Sequence, residues 1–168
     1  FDLRDCGESD KTDNGFSLKN AVADIQNVFA WAKERERPRI ILIAEGLGAA
    51  LALSLQSPQV ECAILLWAIL DPKSAEWKEV EISGTLKEEI EAFNTVPALE
   101  NLSVPTLIQH RTVDDRAPME QLDLLRKHVQ KNRRIEITSY ENGKHGLGRF
   151  NERQMLFFHV RQFLQKYG

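Results

Sequence analysis

Two cysteines in 168 residues are too few for a disulfide framework. Cys6 and Cys62 also stand at no metal-ligand spacing, and Cys62 lies in an apolar run, so both read as thiols of a reducing compartment. The cytoplasm is the expected location. Histidine is as sparse: His110, His128, His145 and His159 fall in different elements without the spacing of a metal site, and neither metal nor cofactor is expected. No apolar run reaches the ~18 residues that span a bilayer, and no basic-then-apolar leader opens the chain. A basic face is missing too. The formal charge is −3, acidic and basic residues alternate, and the densest basic stretch, Lys131-Asn132-Arg133-Arg134, reads as a solvated helix end. No nucleic-acid partner is therefore expected.

The most informative absence is a hydroxyl at position 46. Ile40-Ile41-Leu42-Ile43 reads as a buried strand, Ala44-Glu45-Gly46-Leu47-Gly48-Ala49 as a tight turn, and Ala50-Leu51-Ala52-Leu53 as the start of a helix. Strand, sharp turn and helix with small residues at these spacings are the architecture of the G-x-S-x-G nucleophile elbow. Here the pattern is A-x-G-x-G.

A chain of this length suits one domain, 1–168, with one core and roughly 70% of its unfolded surface buried. Ser17 can cap a helix in which Leu18, Ala21, Val22, Ile25, Val28, Phe29 and Ala32 fall at three- and four-residue steps, and Pro38 stops it. Strand 39–44 and an elbow helix of about 46–57 follow. Residues 62–68 make a second continuous apolar run without alternation, as in strands covered on both faces of a parallel sheet, and 105–110 supply a third strand. A helix near 119–131 carries Met119, Leu122, Leu125 and Val129. Ile135–Tyr140 alternates and so belongs nearer a sheet edge, and a helix from about 151 to 166 closes the chain. The expected fold class is α/β, a mostly parallel sheet with helices on both faces. Segment 71–104 does not fit the alternation. Its Thr85-Leu86-Lys87-Glu88 reads as a capping box, with Leu86, Ile90 and Phe93 toward the body, and the segment is either a short lid or a surface connection.

The chain resembles the α/β-hydrolase superfamily over its whole length. Phe1–Ser9 is similar to a D-x-R-G-x-G-x-S segment, with Asp5 and Cys6 in place of Gly and His. Ala44–Ala49 matches the elbow. Val104–Pro118 resembles the P-T-L-x-x-H-G-x-x-D-x-x-V-P segment with the triad acid, and Asn142-Gly143-Lys144-His145-Gly146 the G-x-x-H-G turn with the triad histidine. The small esterase, lipase and acylglycerol-hydrolase branch is the nearest likeness. The resemblance implies early strands and an oxyanion loop ahead of Phe1. A fragment, a shortened product or a second polypeptide that provides those strands would each account for their absence, and without them strand 39–44 would have an exposed edge prone to aggregation or association.

That resemblance assigns chemistry by position. Acyl transfer on this fold needs a nucleophile, a base, an acid that orients the base, and amides aimed at the oxyanion. His145 is the expected base; alone, it would read as a turn histidine bonded to a carbonyl. Asp114 is the expected acid, with Asp115 beside it, although both suit a turn. Leu47 would donate an oxyanion amide, Glu45 is a supporting carboxylate, and Trp67, Trp77 and Phe93 are expected near the pocket for a neutral acyl or ester ligand. Gly46 offers His145 no proton to abstract. Cys6 and Ser54 do not replace the missing hydroxyl, because neither occupies the elbow. Two readings follow: a hydrolase scaffold with weak or no catalysis, or a pseudoenzyme that binds ligands or proteins. Departures at Cys6, Ala44, Gly46 and Arg111 speak for the second.

Overall fold

Ser17 opens the first helix as its residue type predicts: its hydroxyl accepts from the Asn20 amide at the N-terminus of α1 (Leu18–Lys33). In this computed structural model, residues 1–13, 15–35, 39–55, 59–77, 84–129, 132–141, 145–146 and 148–168 are described. Pro38, expected to stop α1, lies outside them. Leu18, Ala21 and Ile25 form the buried stripe of α1. Next come β1 (Ile40–Glu45), α2 (Leu47–Leu53) and β2 (Val60–Leu66). The elbow helix is shorter than the expected 46–57. Ser54 is its C-cap, and its hydroxyl bonds back to the Leu51 carbonyl.

A 3₁₀ turn at Pro72–Ser74 precedes α3 (Gly84–Ala92) and α4 (Val96–Glu100). Because α3 already begins at Gly84, Thr85 sits inside its first turn and is not the cap that the sequence suggests. The chain continues through β3 (Thr106–Arg111), α5 (Met119–Val129), β4 (Ile135–Tyr140) and α6 (Phe150–Tyr167). Among the described residues the four strands form one parallel sheet in the order β1-β2-β3-β4. Sequential parallel neighbours joined by helices are the βαβ arrangement that alternation predicts.

Both faces of the sheet are covered, but unequally. On one, Leu65 and Ile108 pack with Ala49, Leu53, Leu99, Leu122 and Leu125 from α2, α4 and α5. Beside them Leu86 and Ile90 of α3 join Leu18, Ala21, Ile25 and Leu51, so the described part of 71–104 contributes to the core. On the other face Cys62, Ile64 and Leu107 meet Phe163 of α6. The middle strands β2 and β3 are buried almost throughout, as the apolar run at 62–68 predicts for β2, and β3 is as buried although it carries Gln109, His110 and Arg111. β1 differs from its buried reading. Ile41 is 43% and Ile43 60% exposed, because among the described residues β1 ends the sheet and α6 packs over its neighbours. No helix among the described residues is long and apolar enough to cross a membrane.

Candidate active site

The elbow is built although its side chain is absent. Gly46 has φ 55° and ψ −127°, a left-handed backbone that glycine adopts freely and other residues adopt at a cost of about 1–2 kcal/mol. Its amide donates to Leu66 and its carbonyl accepts from Ala49 and Ile69, which ties the turn to β2 and α2. A Cβ placed on Gly46 would lie 3.5 Å from His145 Nε2, in open van der Waals contact.

His145 comes to this position from beyond β4. Its Nδ1 lies 2.9 Å from both carboxylate oxygens of Asp114, and its backbone amide donates to Asp115 at 3.2 Å. The Asp114 side chain is wholly enclosed and also accepts from the Arg116 and Ala117 amides, each at 2.8 Å. Burial pushes this carboxyl up, but the hydrogen bonds from His145 and the two amides outweigh burial and hold it below the usual carboxylate range. With Nδ1 engaged by an ionised acid, Nε2 is the nitrogen presented to position 46. Of the turn sequence 142–146, His145 and Gly146 are described, and Asn142, Gly143 and Lys144 lie outside the described residues.

Behind the imidazole stands Trp67. Its ring meets that of His145 edge-on at 6.5 Å, and its Nε1 donates to Glu45 Oε1 at 2.6 Å. Trp67 is fully buried and has φ 37°, a conformation that a bulky residue keeps only where its surroundings impose it. Here the Trp67 amide bonds to Gln109 and the indole is clamped between Glu45 and His145. Trp67 therefore backs the histidine and does not line an open pocket. Trp77 donates to the Pro72 carbonyl, and with Phe93 it packs on the α1–α3 cluster. The structure does not bring these two to His145.

Arg111, a departure from the motif, has a defined place in the structure. It is 2% exposed. Its Nε donates to the Gly146 carbonyl at 3.1 Å, and its Nη1 lies 3.0 Å from Glu152 Oε2. The same Glu152 accepts from the Arg149 amide and so caps α6. One guanidinium thus joins the end of β3, the turn beside His145 and the start of α6, with Trp67 beneath it. The signal available in sequence was a charged residue ending a strand that begins Thr106-Leu107-Ile108. Gly148, at φ +63°, allows this approach, since a Cβ there would collide with Arg111 and Glu152.

A cavity of about 350 Å³ adjoins the turn between Phe1, Leu3 and Cys6 of the N-terminal segment and Ile43, Ala44, Glu45 and Gly48. Burial pushes the Cys6 thiol up, away from the thiolate form. Asp5, standing where the motif has glycine, takes φ 63°, which Asp tolerates better than most residues.

No protein-family model and no curated protein matches the chain by sequence. Solved structures do match it. Est1E from Butyrivibrio proteoclasticus with bound ferulic acid superposes with a TM-score of 0.80 at 14% identity, over 99% of this chain and 75% of that one. Thermogutta terrifontis esterase 2, phosphoramylated by tabun, gives 0.69 at 20% identity, over 89% and 65%. A bromoperoxidase from Bacillus anthracis gives 0.70 at 16% identity, over 98% and 80%. The chain carries the α/β-hydrolase fold. It spans about two thirds of the Thermogutta esterase, 65% of its length.

Proposed function

We propose that this protein is a carboxylic-ester hydrolase scaffold that retains its acid and base and has lost its nucleophile, so that it binds acyl ligands and turns them over weakly or not at all. Residues 1–168 are read as one domain. The observation that carries the proposal is the alignment of Asp114, His145 Nδ1 and His145 Nε2 on the position a Gly46 Cβ would occupy. In this reading Asp114 orients His145, and the Leu47 amide is the oxyanion donor. His145 can assist water but no acyl-enzyme forms at Gly46, because glycine has no atom to acylate. The mostly apolar lining of the neighbouring cavity suits a neutral acyl group, the class to which Est1E's ferulic acid also points. A pseudoenzyme with a purely binding role is the second reading. Arg111 donates to the Gly146 carbonyl beside His145 and so has a structural place in either reading.

Labelling tests this directly. The chain as it stands should show no burst with a chromogenic ester and no reaction with a fluorophosphonate. Gly46→Ser, at a conformational cost of about 1–2 kcal/mol, should be labelled at the introduced serine, and adding Asp114→Asn should slow that labelling. A folded Gly46→Ser protein that resists the probe would exclude the assigned roles of Asp114 and His145, while labelling of the unaltered chain would mean that another residue is the nucleophile.

A further inference from the structure

A turn that carries a base has to be held by its backbone where its side chains cannot do so. Gly146, directly after His145, takes φ 102°, a conformation that glycine adopts freely, and it has no side chain to pack. Its carbonyl is held instead. Arg111 Nε donates to that oxygen at 3.1 Å, and Arg111 Nη1 lies 3.0 Å from Glu152 Oε2. Two edges of one planar guanidinium are thus engaged by residues 35 and 41 positions away, which fixes its orientation as a lysine ammonium could not. The contacts then close into a circuit. Arg111 Cζ sits 5.6 Å from the centre of the Trp67 ring, and that ring meets His145 edge-on at 6.5 Å. From His145 the path runs through Trp67 to Arg111, from Arg111 to Gly146, and along the chain back to His145.

We infer that Arg111 is a positioning residue for His145, and that Glu152, the carboxylate capping α6, holds Arg111 in that role. The inference rests on the reading of His145 as a base and adds what keeps that base on Gly46. Arg111 stands where the hydrolase motif has glycine, so the motif itself supplies no side chain for this contact. Energetics favour a geometric role over a stabilising one. Taking a guanidinium to 2% exposure forfeits hydration that pairing with a partly exposed Glu152 does little more than repay. What a buried pair supplies is a fixed arrangement, since alternative placements leave a charge unpaired. Gly148 is matched to it. A Cβ there would collide with both Arg111 and Glu152, so bulk at position 111 and its absence at 148 go together.

NMR of the unaltered chain reads the placement. The His145 Nδ1 proton, held by Asp114, should give a downfield imidazole N–H signal, assigned by its loss in His145→Gln. Arg111→Met combined with Glu152→Gln removes both charges at similar volume, and this variant should fold and melt within about 5 °C of the unaltered chain. Its N–H signal should nevertheless be lost to exchange with water. Arg111→Lys keeps the charge but not the fork, and should lose the signal too. In a Gly46→Ser background the same changes should lower the maximal rate of fluorophosphonate labelling about a hundredfold, the scale of an ångström-sized misplacement. The half-saturating probe concentration should stay unchanged. If Gly46→Ser alone is not labelled, the acyl reading fails and the N–H signal still decides the role of Arg111. If it is labelled, and the Arg111 variants keep both the signal and the labelling rate, the positioning role is overturned while the acyl reading stands. A lowered melt with the signal intact would make the pair purely structural and overturn the inference as well. Should the double variant fail to fold, Glu152→Gln alone decides, since glutamine can cap α6 from the same position.

Discussion

Asp114 carries a pH dependence that follows from its environment. A carboxyl held below its usual range on folding stabilises the protein above its unfolded pKa, about 3.9, and that contribution is lost as pH falls through the lower folded value. Asp114→Asn is therefore expected to cost on the order of 2 kcal/mol at neutral pH, the scale of hydrogen bonds to a charged group. The gap from the unaltered chain should close below about pH 4. Denaturant unfolding at pH 7 and pH 3 measures both, and an equal loss at the two pH values would deny the carboxylate its role. Two glycines offer a second comparison at this scale. Gly148→Ala forces a left-handed alanine against Arg111 and Glu152, at about 1–2 kcal/mol for the backbone alone. Gly48→Ala, in α2 with nothing within 4 Å of the new methyl, should instead stabilise by about 0.5–1 kcal/mol. Thermal melts of the two variants should move in opposite directions.

Helix α1 and helix α3 are joined at one cap. The Ser17 hydroxyl accepts from Asn20 and donates to Glu89 Oε1 at 2.9 Å, while the Leu18 amide donates to Glu89 Oε2 at 2.6 Å. Residues 72 apart in sequence thus share the orphan amides of a helix start. Ser17→Ala should cost about 1 kcal/mol, and its effect should not add to that of Glu89→Gln, because both remove the same network. A double-mutant cycle in urea reads that coupling, and strict additivity would show that the cap acts alone. The strands follow a simpler logic. β2 and β3 lie between neighbours and under helices on both faces, so every residue of β3 is buried, including Gln109, His110 and Arg111. Burial keeps His110 below its ordinary range and hence uncharged.

At the scale of the whole molecule, β1 and β4 are the two end strands of the sheet that the described residues form. At this scale the fold matches solved structures in which identity is no higher than 20%. Such a likeness reflects a layered arrangement that many sequences can satisfy, since it depends on which positions are apolar more than on which apolar residue fills them.

Order and type of the elements were written in local chemistry. Ser17 at a cap, three- and four-residue apolar steps in α1 and α5, and the apolar run at 62–68 specify helices and a buried strand by short-range rules that need no partner. The elbow was legible for the same reason, as small residues and glycine between strand and helix leave few other backbones. What local pattern does not encode is which surfaces meet. Ile41 and Ile43 look as buried as Ile64, and their exposure follows from where α6 lies. Trp67 looks like a pocket wall, and only folding brings Glu45 and His145 to either side of it. Arg111 looks out of place at the end of β3, until Gly146 and Glu152 arrive from residues 35 and 41 positions away. A side chain's role at the site is set by contacts between distant segments. The α/β alternation and a glycine at position 46 were determined by sequence, whereas tertiary structure alone decided that Asp114, His145 and Gly46 meet.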